Sequence, residues 1–193
     1  MTPEPRAARR GDAAALARII DLAGEGLPLH LWQQSCDPGQ DPWQIGASRA
    51  ARDTGGFSWR NARVIEIGGQ VAAGMIGYRI GHEPEPLDDL PPILRPLQAL
   101  ENRALGSYYI NAIATLPEFR GRGLARVLMQ EAERLAAGAG ALSLIVADVN
   151  LPAQRLYAGL GYAERAREAV VTNGWTSAAR HWILMVKPVA APR

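Results

Sequence analysis

Cysteine is nearly absent from this 193-residue chain: Cys36 is the only one, which excludes an intramolecular disulfide framework and any multi-cysteine zinc site. A single thiol points to a reducing compartment, and the cytoplasm is the expected location. Long hydrophobic runs are missing too, the longest covering only about seven residues around Leu144 to Ala147, far short of a bilayer span. The start, MTPEPRAARRGD, has no apolar stretch behind its arginines, which argues against a secretory leader. Neither sign of charge dominates. Twenty-one basic residues face 19 acidic ones, and the formal charge of +2 is too small and too dispersed for a nucleic-acid footprint, despite a sequence pI of 9.0. No nucleic-acid or membrane partner is expected. Lysine is nearly absent as well: Lys187 stands alone, so arginine carries the positive charge, as GC-rich coding explains at least as well as function. His30 and His82 have no metal-ligand spacing, and Cys36 lacks a histidine or aspartate partner, which makes it a small packed residue. No metal is expected.

What is present is a globular balance, 48% hydrophobic and 21% charged. The length fits one domain, able to bury about 70% of the surface that its unfolded chain exposes. Asp12 precedes Leu16, Ile19 and Ile20, which share one helical face, and Gly24 and Gly26 end the pattern, so a helix is expected over about 12–23. Leu29–Gln34 reads as a short helix. Asp41 followed by Pro42 is an N-cap with a first-turn proline, predicting a helix over about 43–52 before Gly55-Gly56. Val64, Ile65 and Ile67, then Val71, Met75, Ile76, Tyr78 and Ile80, flank Gly68-Gly69-Gln70 as a β-hairpin.

Residues 81–92 contain four prolines and four carboxylates and cannot be a strand interior. Ile93, Leu94, Leu97 and Leu100 then recur at helical spacing. Together they form an insertion at about 81–105, between the third and fourth strands. A buried strand over about 106–116 ends at Pro117. Next come a helix from near Gly121 with Leu124, Val127, Leu128, Ala132 and Leu135 on one face, and a strand over 141–148. Asn150 caps a short helix closed by Gly161, and strands over about 162–171 and 176–186 flank Thr172-Asn173-Gly174. Strand, helix, strand implies a parallel pair set beside antiparallel neighbours, in a mixed sheet with helices on both faces.

The chemistry concentrates between Tyr108 and Tyr162. Arg120-Gly121-Arg122-Gly123-Leu124-Ala125 lies between a strand and an amphipathic helix. Glycines admit a ligand close to the backbone, and the unpaired N–H groups and dipole of a helix start attract an anion such as a pyrophosphate. The plainer reading is a tight strand-to-helix turn. The spacing is not that of a dinucleotide fingerprint, and no G-K-S/T exists for a P-loop.

These residues resemble the GNAT superfamily of acetyl-CoA-dependent N-acetyltransferases. Arg120, Gly123 and Ala125 fill its Q/R-x-x-G-x-G/A signature, and Ile113 to Phe119 resembles the strand end and proline turn leading into it. A second block matches at Asn150, Ala153, Leu156-Tyr157 and Gly159-Leu160-Gly161-Tyr162. The close resemblance covers about 55 residues, and the element order fits loosely to about Lys187. It implies a single domain over 1–193, an α/β fold whose mixed, mostly antiparallel sheet has about six to seven strands and a splayed parallel pair. It also implies acetyl-CoA as co-substrate. Ile113, Ala114 and Thr115 would pair with the pantetheine arm through their backbone. Arg120, Gly121, Arg122, Gly123, Leu124 and Ala125 would cradle the pyrophosphate, while Asn150 and Ala153 would contact the arm from the other side.

Tyr157 matches the family's usual general acid. A thiolate with a pKa near 8.5 needs only modest help in leaving, which a neutral phenol can supply. The alternative for Tyr157 is an aromatic packed on the sheet. A protonated amine must also lose a proton. Glu66, Asn111 holding a water, and His181 are the candidate acceptors, each with a plainer structural role open to it. Backbone N–H groups on the central strand could polarise the acetyl carbonyl.

In this fold the acceptor binds against the first helices and nearby loops, which here carry Trp32, Trp43 and, in the insertion, Glu83, Glu85, Asp88 and Asp89. An aromatic wall with carboxylates suits a cationic small-molecule amine or peptide; the plainer reading is a hydrophobic contact and a solvated acidic loop. A catalytically silent acyl-CoA-binding or sensing protein is the alternative function. A homodimer through the final hairpin, with Trp182 and Ile183 at the seam, is compatible with either.

Overall fold

Leu16, Ile19 and Ile20 are fully buried along one face of helix α1 (Ala13–Ala23), in the computed structural model, which describes residues 3–189. The helices that follow are α2 (Leu27–Gln34), which begins two residues before the stretch expected, and α3 (Pro42–Ala50). The Asp41 carboxylate accepts the Trp43 N–H at 3.0 Å, the cap that its sequence position predicts. Asp12 behaves differently. Its carboxylate accepts the Arg9 N–H at 2.7 Å and two N–H groups from Arg6 at 2.8 and 3.0 Å, instead of capping α1.

Seven strands form one open, mixed sheet in the order β1-β2-β3-β4-β5-β7-β6. They are β1 (Arg6–Ala7), β2 (Ala62–Ile67), β3 (Gln70–Arg79), β4 (Tyr108–Thr115), β5 (Ala141–Ala147), β6 (Ala163–Ala169) and β7 (His181–Pro188). The remaining α-helices are α4 (Arg95–Glu101), α5 (Leu124–Leu135) and α6 (Leu151–Gly159). Strands β4 and β5 are the expected parallel pair, with Tyr108 opposite Leu142 and Ile110 opposite Leu144. Antiparallel pairs join β1 to β2, β2 to β3, β5 to β7 and β7 to β6. Among the described residues no helix is long and apolar enough to cross a membrane.

The chain separates into two compact units. One comprises residues up to Tyr78 together with Asn111–Ala132. Its core joins Leu16, Ile19 and Ile20 of α1 to Trp32, Val64, Ile76 and Leu116. Each such side chain contributes roughly 1.5–3 kcal/mol when withdrawn from water. Gly74 of β3 is a packing requirement, since a Cβ there would lie 2.6 Å from Ile19 Cδ1. Helix α5 buries Leu124, Leu128, Met129 and Ala132, the four-residue recurrence of an amphipathic helix, and an Arg63–Glu131 ion pair at 3.2 Å ties it to β2.

The second unit comprises Arg79–Ile110 and residues from Glu133 onward. Leu142 and Leu144 of β5, Leu184 and Met185 of β7, and Tyr108, Tyr109 and Ile110 of β4 are buried in it. The proline-rich residues 81–92 form no helix or strand, and α4 is confined to 95–101, so that Ile93 and Leu94 of the helically spaced set precede it in a turn. Strand β7 begins five residues later than its composition predicts. Ser177 Oγ and the Asp148 carboxylate take the N–H groups of Ala179, Arg180 and His181, so side chains replace the ladder there. Trp182 and Ile183 are buried on β7, which lies between β5 and β6, and the Trp182 ring stacks on Trp175 at 6.0 Å.

Candidate active site

In the first unit, β4 runs through Ile113, Ala114 and Thr115, all half-buried, into Leu116 and a single 3-10 turn over Pro117–Phe119. Arg120 to Gly123 follow as an exposed bend. Gly121 has φ +75° and Gly123 φ +74°, so α5 starts at Leu124, later than the glycines themselves would place it. Both φ values lie in the left-handed region that costs a side-chain-bearing residue about 1–2 kcal/mol. A Cβ at either glycine would meet nothing within 4 Å. Backbone conformation therefore demands glycine here, and the space above the bend is open to a ligand. The Arg122 guanidinium lies 5.5 Å from the Phe119 ring centroid. Arg126, the third residue of α5, adds an exposed guanidinium that sequence reasoning passed over; its place in the first turn of the helix was the signal.

Glu66 Oε2 accepts from Arg6 at 2.7 and 3.1 Å. The Asn111 side-chain N–H donates to Tyr78 Oη at 3.1 Å, leaving its Oδ1 without a partner among the described residues. Trp32 is only 4% exposed and belongs to the core, whereas Trp43 is 37% exposed and meets it edge-on, ring centroids 5.9 Å apart. Gly46 lies beneath this pair: a Cβ there would sit 2.5 Å from the Trp32 ring.

In the second unit, Asn150 caps α6, its Oδ1 accepting the Ala153 N–H at 3.2 Å. Gln154 donates to the carbonyls of Ala147 and Asp148 at 3.0 Å, binding the helix to the end of β5. Tyr157, 7% exposed, packs its ring 6.1 Å from that of Tyr162. The Tyr162 hydroxyl is buried without a hydrogen-bond partner, and burial, with Glu133 and Tyr157 nearby, pushes its pKa well up. His181 touches the Asp148 carboxylate through Nδ1 at 3.3 Å. Asp148 is held below the ordinary value because hydrogen bonds from the Arg180 backbone, the His181 ring and the His181 backbone outweigh its desolvation.

Glu83, Glu85, Asp88 and Asp89 are exposed, and both the N–H and the carbonyl of Glu85 bond the Asn102 side chain, at 3.0 and 2.8 Å. Sequence reasoning also passed over Glu101. Burial raises its pKa from 4.5 to about 7, opposed by a hydrogen bond from Tyr109. No group of three or more potential metal ligands occurs among the described residues.

The model of the Acetyltransferase (GNAT) family matches residues 27–162. Streptothricin acetyltransferase from Streptomyces lavendulae is 37% identical over 81 residues, covering 41% of this chain and 43% of that protein, so the likeness spans less than half of the relative. An N-acetyltransferase structure from Staphylococcus aureus Mu50 shares the fold with a TM-score of 0.66, at 18% identity, over 94% of this chain and 98% of that one. A second acetyltransferase crystal structure gives 0.65 at 20% identity, over 96% and 99%. With the family model covering most of the chain and the mixed sheet in place, the chain belongs to the GNAT family of acetyltransferases.

Proposed function

We propose that this protein transfers an acetyl group from acetyl-CoA to a primary amine by direct attack within a ternary complex. The observation that carries the reading is the bend at Gly121 and Gly123, which delivers β4 into the start of α5 with open space above both glycines. Backbone N–H groups at a helix start, with Arg120 and Arg122 beside them, suit a pyrophosphate. Ile113 to Thr115 offer backbone groups to the pantetheine arm.

The amine lone pair attacks the thioester carbonyl carbon, and collapse of the adduct breaks the carbon–sulfur bond. Tyr157 gives its phenolic proton to the departing thiolate. The proton lost by the amine passes to the Glu66 carboxylate or to a water accepted by Asn111 Oδ1. The acceptor is a small-molecule or peptide amine, with Trp43, the exposed ring of the Trp32–Trp43 pair, on its side of the site. The relative named for acetylating streptothricin supports the acetyl-transfer reading. The setting is cytoplasmic, where acetyl-CoA is available.

Calorimetric titration with acetyl-CoA and CoA tests the binding half, with Gly123→Trp as the blocked control. Thiol release over a panel of amines tests the chemistry. Tyr157→Phe is expected to lower kcat by about 10²-fold or more while leaving the KM for acetyl-CoA nearly unchanged. An unchanged kcat removes Tyr157 from the acid role. A folded protein that binds no acetyl-CoA ends the acetyltransferase reading.

A further inference from the structure

The second unit contains a cleft of about 410 Å³ at the amino ends of the parallel strands, within the size range of small-molecule sites. Ser107, immediately before β4, and Ala141, the first residue of β5, line it. Six residues of extended chain, roughly 20 Å, separate Ser107 from Ile113 at the strand end that we assign to acetyl-CoA. This cleft is therefore a different place from the acetyl-transfer site.

Its charge is set by a defect in β6. Glu164 pairs with Met185 and Ala166 with Leu184, so Arg165 is an extra residue with no partner on β7. Neighbouring residues of a regular strand point to opposite faces, yet Arg165 and Ala166 both line the cleft, the re-aiming that a β-bulge produces. The neighbouring carboxylates are already taken. Glu164 binds Arg167 through both oxygens at 2.8 and 2.9 Å, and Glu168 binds Arg103, also on the cleft, at 2.6 Å. Of the two arginines that line the cleft, Arg165 is the one without a carboxylate partner among the described residues.

The other groups define what that anion carries. Ser107 is 2% exposed and shares a 2.6 Å hydrogen bond with Ser143 Oγ, either hydroxyl being able to donate. Two hydroxyls joined by one such bond retain one further proton, which a buried hydroxyl needs to place. Leu105, Ala166 and Val186 give the cleft an apolar wall. We infer that the cleft is a binding site for a small organic carboxylate, whose anionic end meets the bulged Arg165 and whose compact apolar body lies against Leu105, Ala166 and Val186. Arg103, shared with Glu168, is a second donor to the same carboxylate. The inference is independent of the acetyl-transfer reading.

Amide-resolved NMR titration of the full-length, isotope-labelled chain tests it, with benzoate and hexanoate as probes and benzyl alcohol and inorganic phosphate as controls. Saturable shifts are expected around Ser107, Ala141, Ala166 and Val186, with a Kd on the order of 0.1–1 mM for so open a site. Arg165→Gln is expected to weaken benzoate by about ten-fold or more, the loss of one charge-assisted contact. Arg180→Gln, which removes an exposed arginine that does not line the cleft, leaves the affinity unchanged. Benzyl alcohol and phosphate bind far more weakly than benzoate, since one lacks the charge and the other the apolar body. Shifts that do not saturate by about 20 mM, that scatter over arginines elsewhere, or that survive Arg165→Gln overturn the proposal. So does phosphate binding as tightly as benzoate.

Discussion

Asn150 Oδ1 accepts the Ala153 N–H at 3.2 Å and so closes the first turn of the helix that presents Tyr157 two turns later. Removing an N-cap of this kind costs about 1 kcal/mol. Asn150→Ala is expected to lower stability by that amount in urea unfolding, and Asn150→Asp, which keeps the acceptor, to retain most of it. If the helix positions the acid, the kcat of Asn150→Ala falls between that of the wild type and that of Tyr157→Phe. A variant that loses stability while keeping full kcat limits Asn150 to a structural role.

Glu101 and Tyr109 give stability an unusual pH dependence. Burial raises the carboxyl from 4.5 in the open chain to about 7 in the folded protein, the Tyr109 hydrogen bond opposing the shift. The folded state thus binds a proton that the unfolded chain has released. Its contribution is fully present below about pH 4.5 and is lost as pH rises through about 7, for a total of about 3 kcal/mol. Glu101→Gln cannot ionise. The stability of the wild type relative to Glu101→Gln should fall across this interval in urea unfolding run from pH 4.5 to 8, and a flat difference would remove the buried carboxyl from the explanation.

The local signals were the ones legible in the chain. Asp41 before Pro42, Asn150 before Leu151 and the glycines around Arg122 act within a few residues, so cap and bend could be read directly. Partnerships across long separations could not be. Ser107 finds Ser143 36 positions away, and Arg6 finds Glu66 60 positions away, contacts that only the assembled sheet creates. Strand β1, two residues long, is too short to carry any alternation. The bulge at Arg165 was hidden for a related reason: register belongs to a pair of strands, and β6 alone does not reveal that β7 skips one of its residues.

Two glycines separate packing from backbone conformation. A Cβ at Gly46 would press on the Trp32 ring at 2.5 Å, so Gly46→Ala should lose about 1–3 kcal/mol through overpacking. At Gly123 the space is open and φ is +74°, so Gly123→Ala should lose about 1–2 kcal/mol through the backbone alone. Thermal unfolding measures both losses. Calorimetry then distinguishes them: acetyl-CoA affinity drops for Gly123→Ala and holds for Gly46→Ala. The reverse pattern would move the pyrophosphate away from the bend.

Arg6 joins two carboxylates of unequal burial, Asp12 with 12% of its side chain exposed and Glu66 with 42%. The Asp12 carboxyl is held below its ordinary value of 3.8, first by the Arg6 hydrogen bond and then by the Arg9 N–H, against its own desolvation. A carboxyl lowered on folding contributes stability above about pH 3.8 that is lost as pH falls through its folded value. Arg6→Met strips Asp12 of its cation, and a loss of about 1–3 kcal/mol is expected at pH 7, shrinking as the carboxyl protonates. Glu66→Gln, at the exposed end, should cost no more than about 0.5 kcal/mol. That small cost makes Glu66 a clean subject for kinetics. If its carboxylate takes the amine proton, kcat/KM for the amine falls in Glu66→Gln while urea unfolding stays near the wild type; if the rate is unaltered, the proton goes by the water at Asn111, and Asn111→Ala is the variant that loses it.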